Sequence, residues 1–403
     1  MARGLCLILM TMVVTTSAYA ERAPLNLKDV VALARERAPA TAVARARVEE
    51  ASAELVGASQ LALRNPSLDV DGGTRWGGGR WTDYSAALSV PLDLGGRRGK
   101  RITAAEAGIE HARAASAQVE RETVAAAVAA YYAALHAQRR LLLAEERVRL
   151  ATASEDIARA RARAGDVAEF EVNLARGEVA RANSAVVTAR AGEAAARARL
   201  AVALGIPAGV LAVAGELADR SSLDQTTGEV RARPDVRTLA KEVDLARAEE
   251  AVAKAERWPS LDLRGSFERE QGTNAVIGGL TVELPVLARG QGDAARARAR
   301  ARRATTALEL QTALAQTEID SARQTYEATV AAAAILEREA LPLSLENETS
   351  AAAAYRAGKL ELAELLLIRR EVLDTRREHL DRLLDAALAA VDLWSARGAP
   401  PLP

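Results

Sequence analysis

The sequence predicts a mainly α-helical protein with a small β part, built from two copies of one unit in which a long coiled-coil helical hairpin follows a pair of strands. Three observations carry this. Landmarks recur along the chain: Asn65-Pro66-Ser67-Leu68 matches Trp258-Pro259-Ser260-Leu261, Ser89-Val90-Pro91-Leu92 matches Glu283-Leu284-Pro285-Val286, and Arg163-Ala164-Gly165-Asp166 matches Arg356-Ala357-Gly358-Lys359. Each pair is offset by 193 or 194 residues, the signature of an internal duplication. Apolar residues make up 49% of the 403 residues while aromatic ones make up 3%. An alanine-rich, charge-rich chain of that kind favours long helices packed closely over a large conventional core. Between the helical stretches lie short segments in which apolar and polar residues alternate, the period of a half-buried strand.

Lys+Arg and Asp+Glu each number 54, so the formal net charge is zero. A nucleic-acid partner is disfavoured, because such a surface needs a basic surplus or stripe.

Residues 1–20 read as a secretory signal, with Arg3, an apolar run from Leu5 to Val14, and the small-x-small cleavage site Ala18-Tyr19-Ala20. The mature chain would begin at Glu21. Cys6, the single cysteine, lies inside this signal and ahead of most of its apolar run, whereas lipid attachment needs a cysteine after that run. No later stretch is long and apolar enough for a transmembrane helix.

Residues 21–66 predict helix from Leu27 to Leu63, broken near Pro39 and ended at Asn65-Pro66, since a residue before proline avoids the helical region. Residues 67–91 predict a hairpin around Gly77-Gly78-Gly79, with Tyr84, Ala86, Leu88 and Val90 on one face and Ser85, Ala87 and Ser89 on the other. Residues 92–205 form the first long hairpin. From about Lys100 to Arg163 there is no proline, which gives roughly 90 Å of helix at 1.5 Å per residue. Gly165 marks the turn, and Val172, Val179 and Val186 then repeat at coiled-coil spacing, with Leu200 in register.

A connector, 206–233, leads to the second unit: a helix over 234–258, a hairpin over 259–286 and a long hairpin over 287–398 with its turn at Gly358, then a tail, 399–403. In the second strand pair, Leu261, Leu263, Gly265 and Phe267 oppose Asp262, Arg264, Ser266 and Glu268. Pro342 should kink or interrupt the outgoing helix.

The strands are of the length that crosses a bilayer as a barrel, roughly 9–11 residues. Trp76, Trp81, Tyr84 and Phe267 concentrate there and are candidate membrane-interface aromatics. An ordinary soluble hairpin would carry the same alternation. If the strands enter lipid, four cannot close a barrel alone, and an open edge leaves unpaired backbone groups there. Other copies of the chain would have to complete it.

The residues give no sign of an enzyme or a cofactor. His111, His136 and His379 are scattered without zinc-ligand spacing, and the glycine clusters lack the Lys-Ser/Thr of a phosphate loop. A soluble periplasmic coiled-coil scaffold is the alternative from another class.

The stretch Asn65-Pro66-Ser67-Leu68, followed by Ser89-Val90-Pro91-Leu92-Asp93-Leu94-Gly95-Gly96-Arg97-Arg98, resembles the "NPxL … QPLxLGGKR" pattern of the TolC-type outer-membrane efflux family, in its CzcC-like heavy-metal branch. Leu284-Pro285-Val286-Leu287-Ala288-Arg289-Gly290-Gln291-Gly292 is similar to that branch's "PLPLFDRNQGN", with alanine for the acid and glycine for the asparagine. The resemblance spans essentially the whole mature chain. It implies a homotrimer in the outer membrane, with three sets of four strands closing a 12-stranded transmembrane β-barrel and the helices forming an α-helical barrel in the periplasm. The implied role is the passive duct of a tripartite efflux system with a periplasmic adaptor and an inner-membrane RND-type pump. Heavy-metal cations are the expected cargo, and drugs or secreted proteins the alternatives within the family. The turns become the periplasmic tip, with Arg163, Gly165, Val167, Gly358 and Leu360 as adaptor contacts. Glu171 and Glu364, each six residues past a tip glycine, are candidate gate carboxylates, since charged rings hold and select in channels.

Overall fold

The computed structural model describes residues 24–398 except 63, 78, 94, 208–210, 221–222, 224–229, 285 and 288. The signal segment 1–20 with Cys6, the tail 399–403, and Leu63, Gly78, Leu94, Pro285 and Ala288 lie outside the described residues.

Two short helices open the fold. In α1 (Leu27–Arg37), Asn26 and Asp29 each accept from the other's backbone N–H, at 3.0 and 3.1 Å, a reciprocal cap. Pro39 is the first residue of α2 (Pro39–Ala58), where its missing N–H costs nothing, so the break falls at Ala38. The helix ends at Ala58, earlier than the sequence predicts, and residues 60–62 are not helical. The Ser59 N–H bonds the Leu55 carbonyl and its Oγ the Val56 carbonyl at 2.9 Å, closing the last turn.

The strands are β1 (Ser67–Trp76), β2 (Arg80–Leu92), β3 (Ser260–Glu270) and β4 (Thr273–Glu283). They form one antiparallel sheet in the order β1-β2-β3-β4, so the two hairpins join through β2 and β3, and β1 and β4 are its edges.

The helical body consists of α3 (Arg97–Ala164), α4 (Glu169–Leu204), α5 (Pro234–Ala255), α6 (Gln291–Ile335), a π turn (Leu336–Ala340), α7 (Leu341–Arg356) and α8 (Leu362–Arg397). The 68 residues of α3 span roughly 100 Å. The duplication is imperfect here: α3 runs unbroken, while its counterpart is split by the π turn just ahead of Pro342. Widening the backbone there relieves the clash between the proline ring and the preceding turn.

A central core joins Val124, Val128, Tyr131, Tyr132 and Leu135 of α3 to Leu200 and Leu204 of α4, Val30 and Val31 of α1, and Val391 and Trp394 of α8. Leu211, Val213 and Leu217 of the connector close over it. The Tyr131 and Tyr132 hydroxyls donate to the carbonyls of Ala214 and Asp219, each at 2.7 Å, so the buried rings keep a polar partner. Elsewhere the buried seams are largely alanine, among them Ala158, Ala175, Ala182, Ala304 and Ala315, which explains how so few aromatics suffice. Val172 and Leu200 of the heptad row are buried, and Val179 and Val186 are half-buried.

An ionic clasp lies near the end of α8. Buried Arg233 donates to Asp235 at 2.7 Å, to Glu318 at 2.6 Å and to the Ala396 carbonyl at 3.1 Å, and Arg121 donates to the Ser395 carbonyl at 2.8 Å. Two cations therefore meet the negative end of the α8 dipole.

Candidate channel lining and tip

Cross-strand partners share a face, so the register sorts every strand residue. Val70, Ala86, Phe267 and Val276 are in line, as are Leu88, Gly265 and Gly278, and Val90, Leu263 and Leu280. This face is apolar across all four strands up to the hairpin turns, where Arg80, Arg269 and Asn274 join it, and it is open to its surroundings: Val276 is 84% exposed and Trp76 79%. A contiguous exposed apolar surface of this kind calls for a lipid or protein partner.

The opposite face carries Asp69, Asp71, Asp83, Asp262, Glu268, Glu270 and Glu283 against Arg75 and Arg264. Near the hairpin turns Arg75 bridges Asp83, at 2.9 Å, and Glu270, while the Gln271 N–H donates to Asp83 at 3.0 Å. Toward the helices Arg64 pairs with Asp262 at 3.0 Å.

Three of the four aromatics singled out in the sequence stand on the apolar face. Tyr84 and Phe267 have ring centroids 6.2 Å apart, and Trp76 ends β1. Trp81 stands on the polar face opposite Arg75, where its ring lies over the backbone of Gly79 and Gly272. Proximity in sequence hid the parity that separates it from the others.

At the far end of the helices, Gly165 (φ +82°) and Gly358 (φ +71°) terminate α3 and α7. The N–H groups of Gly165 and Asp166 bond the carbonyls of Ala162 and Arg161, and those of Gly358 and Lys359 bond Tyr355 and Ala354. A Cβ at either glycine would meet nothing within 4 Å, so the left-handed backbone, not lack of space, calls for glycine. Arg163 is exposed, Val167 half-buried, and Leu360 packs on the apolar cluster beneath the turns.

That cluster contains Ala158, Val172, Ala175, Leu362, Leu365 and the fully buried Tyr355. Arg161 caps the Tyr355 ring at 5.2 Å. Burial pushes the Tyr355 hydroxyl above its ordinary value, and the charge of Glu171 adds to this. Glu171 is half-buried, with one carboxylate oxygen enclosed and unpartnered. Glu364, by contrast, is exposed and accepts the Glu361 N–H at 3.2 Å in a reciprocal cap at the start of α8. The two acids share a repeat position but not an environment.

Sequence reading missed Tyr355, Arg161 and Arg369. Arg369 is buried in α8, donates to the Leu150 carbonyl at 2.9 Å and to Ser154, and lies 3.8 Å from Glu348. A signal for Tyr355 existed: it stands three residues before Gly358, where the first repeat has Ala162.

Among the described residues, no group of His, Cys, Asp and Glu is placed to hold a metal ion, and no helix is long and apolar enough to cross a membrane. His136 bonds Asp381 at 2.7 Å, joined by Arg140 at 3.1 Å, tying α3 to α8.

Residues 30–206 match the family model described as outer membrane efflux protein. Protein CyaE of Bordetella pertussis is 30% identical over 408 residues, covering 93% of this chain and 84% of that protein. The chain belongs to the outer membrane efflux protein family. The cobalt-zinc-cadmium resistance protein CzcC of Cupriavidus metallidurans is 26% identical over 322 residues, 77% of this chain and 75% of that one. The fold is that of the solved structure of CusC, with a TM-score of 0.78 at 20% identity over 95% of this chain and 96% of that chain. Outer membrane efflux proteins are channels, so the role is transport and not catalysis.

Proposed function

We propose that the chain is the outer-membrane subunit of a tripartite efflux system and acts as a homotrimer. One observation carries this: a four-stranded sheet with one face that is apolar except near the hairpin turns, one acidic face and two unpartnered edge strands. Pairing β4 of each copy with β1 of the next removes every edge, as lipid requires. Three sheets then make a 12-stranded barrel with the apolar face outward. In this assembly 67–91 and 259–286 supply the barrel, and the hairpins 92–205 and 287–398 project into the periplasm as a second, helical barrel.

The acidic face becomes the lumen, where it raises the local concentration of cations and disfavours anions. With the similarity to CzcC, this favours heavy-metal cations as the exported substrate. The absence of a metal-ligand cluster among the described residues is compatible with a duct, which conducts only if its sites bind weakly.

The Gly165 and Gly358 turns form the end that meets a periplasmic adaptor, with Arg163, Val167 and Leu360 around them, and the adaptor links to an inner-membrane RND-type pump. Both candidate carboxylates serve as gate elements: Glu171 is half-buried beside Tyr355, with one oxygen enclosed, and Glu364 is exposed at the start of α8. Glu364 also caps that helix.

The test is ion selectivity in a planar bilayer. Under a salt gradient the reversal potential should report preference for cations, and neutralising Asp69, Asp71 and Glu268 to Asn, Asn and Gln should move it toward zero. An anion-selective pore would contradict the cation reading.

A further inference from the structure

We infer that the periplasmic base of the barrel is a docking surface for anionic glycerophospholipid headgroups. The inference rests on the barrel reading above and adds a chemical preference to it.

Both strand-to-helix elbows have the same make-up. Where β2 passes into α3, exposed Leu92 is followed by exposed Arg98 and Lys100. Where β4 passes into α6, Leu284, Val286 and Leu287 are exposed, Leu287 to 90%, and are followed by exposed Arg289. Each elbow thus passes from the apolar sheet to cations along the direction that leads from hydrocarbon to headgroups.

A third junction, from α5 to β3, adds exposed Arg257 and then Trp258, which is 61% exposed. The Trp258 ring is held in place. A Cβ on Gly95 would stand 2.9 Å from its Cγ, and Arg97 bonds the carbonyls of Ala255, at 3.2 Å, and Trp258. A large aromatic fixed yet left open at this level fits the interfacial belt of membrane proteins.

The charge balance is positive. Asp93 is matched by Arg101 at 2.8 Å, both largely buried, so it does not offset the exposed cations. Glu256, Glu283 and Asp293 are the exposed acids nearby; Glu283 accepts from Ser260 at 2.9 Å, and Asp293 is matched by Arg296. The Lys100 and Arg257 side chains make no ion pair among the described residues and remain available to phosphodiesters. Three copies would repeat the set around the barrel. Lys and Arg at a bilayer surface attract anionic lipid.

The test reconstitutes the purified complex into bilayer discs of phosphatidylglycerol and phosphatidylethanolamine, then reads the co-retained lipid by native mass spectrometry. Wild type should retain phosphatidylglycerol at about five times its bulk ratio or more, the effect of one engaged cation. Lys100→Gln/Arg257→Gln, which breaks no ion pair, should lose at least half of that enrichment. Adding Arg98→Gln/Arg289→Gln should return the ratio to bulk, while Lys at the three Arg positions should preserve it. Wild type at the bulk ratio, a quadruple Gln variant still enriched, or a charge-conserving variant that loses enrichment would overturn the inference. A protein that enters discs of neither lipid sinks the barrel reading itself, and this inference with it.

Discussion

Arg161 of α3 covers the ring of Tyr355 of α7 at 5.2 Å, so the two hairpins are fastened to each other just behind their turns. Tyr355 is fully buried among Val172, Leu362 and Leu365, and the half-buried Glu171 lies in its electrostatic surroundings. If the tip is the constriction of the duct, this contact helps to set its resting aperture. Tyr355→Ala should remove roughly 3–5 kcal/mol of local packing and raise single-channel conductance. Tyr355→Phe keeps the ring and should change conductance little. Equal effects of both would assign the role to the hydroxyl instead.

The Arg233 clasp should be a main electrostatic determinant of stability. Its side chain is 5% exposed, and that of its partner Asp235 is 19% exposed. Arg233→Ala leaves the acid without its cation and should cost about 3–5 kcal/mol, the usual loss on breaking a buried pair. Burial pushes the Asp235 carboxyl up, but the bonds and charge of Arg233 outweigh it and hold the group below the ordinary carboxylate range. A depressed folded value contributes stability that is present above the unfolded value and lost as pH falls through the folded one. Thermal melts of the detergent-solubilised protein should therefore show an acid-dependent loss that is smaller in Arg233→Ala.

His379 titrates in a milder range. Burial lowers its imidazole below the ordinary value, with Glu337 of the π turn opposing. The fold therefore favours the neutral ring. Stability should be full above about pH 6.5 and decline as pH falls through the lowered folded value. His379→Gln should narrow the difference in Tm between about pH 7.5 and about pH 5. An unchanged difference would remove His379 as its source.

Two glycines with similar backbone conformations should respond differently to alanine. Gly165→Ala meets no neighbour and should cost only the left-handed strain, about 1–2 kcal/mol. Gly95 (φ +75°) carries that strain plus a contact with Trp258, so Gly95→Ala should cost roughly 1–3 kcal/mol more. Trp258→Ala should relieve the added part, which a double-mutant cycle on Tm would read.

Much of the fold was legible because it rests on local rules. The recurring landmarks located both hairpins, alternation marked the strands, and the glycines marked where a helix must end in a left-handed residue. The sorting of side chains by environment was not local. Glu171 and Glu364 hold the same repeat position, yet one lies beside Tyr355 and the other caps a helix. Trp81 and Trp76 are close in sequence, but pairing across β1 and β2 puts them on opposite faces. The tip contact of Arg161 with Tyr355 depends on how α3 and α7 approach, which no spacing along either helix encodes. Pro342 pointed to an interruption, and the form it takes, a π turn in one repeat opposite unbroken helix in the other, came from relief of the ring clash within continued packing against α8.

The central claim is that the apolar face meets lipid and the open edges close between copies. The most direct measurement is the mass and location of the complex extracted from cell membranes. A detergent-requiring species of three chains in the outer-membrane fraction is the predicted result. A single chain that stays in solution without detergent would contradict the account.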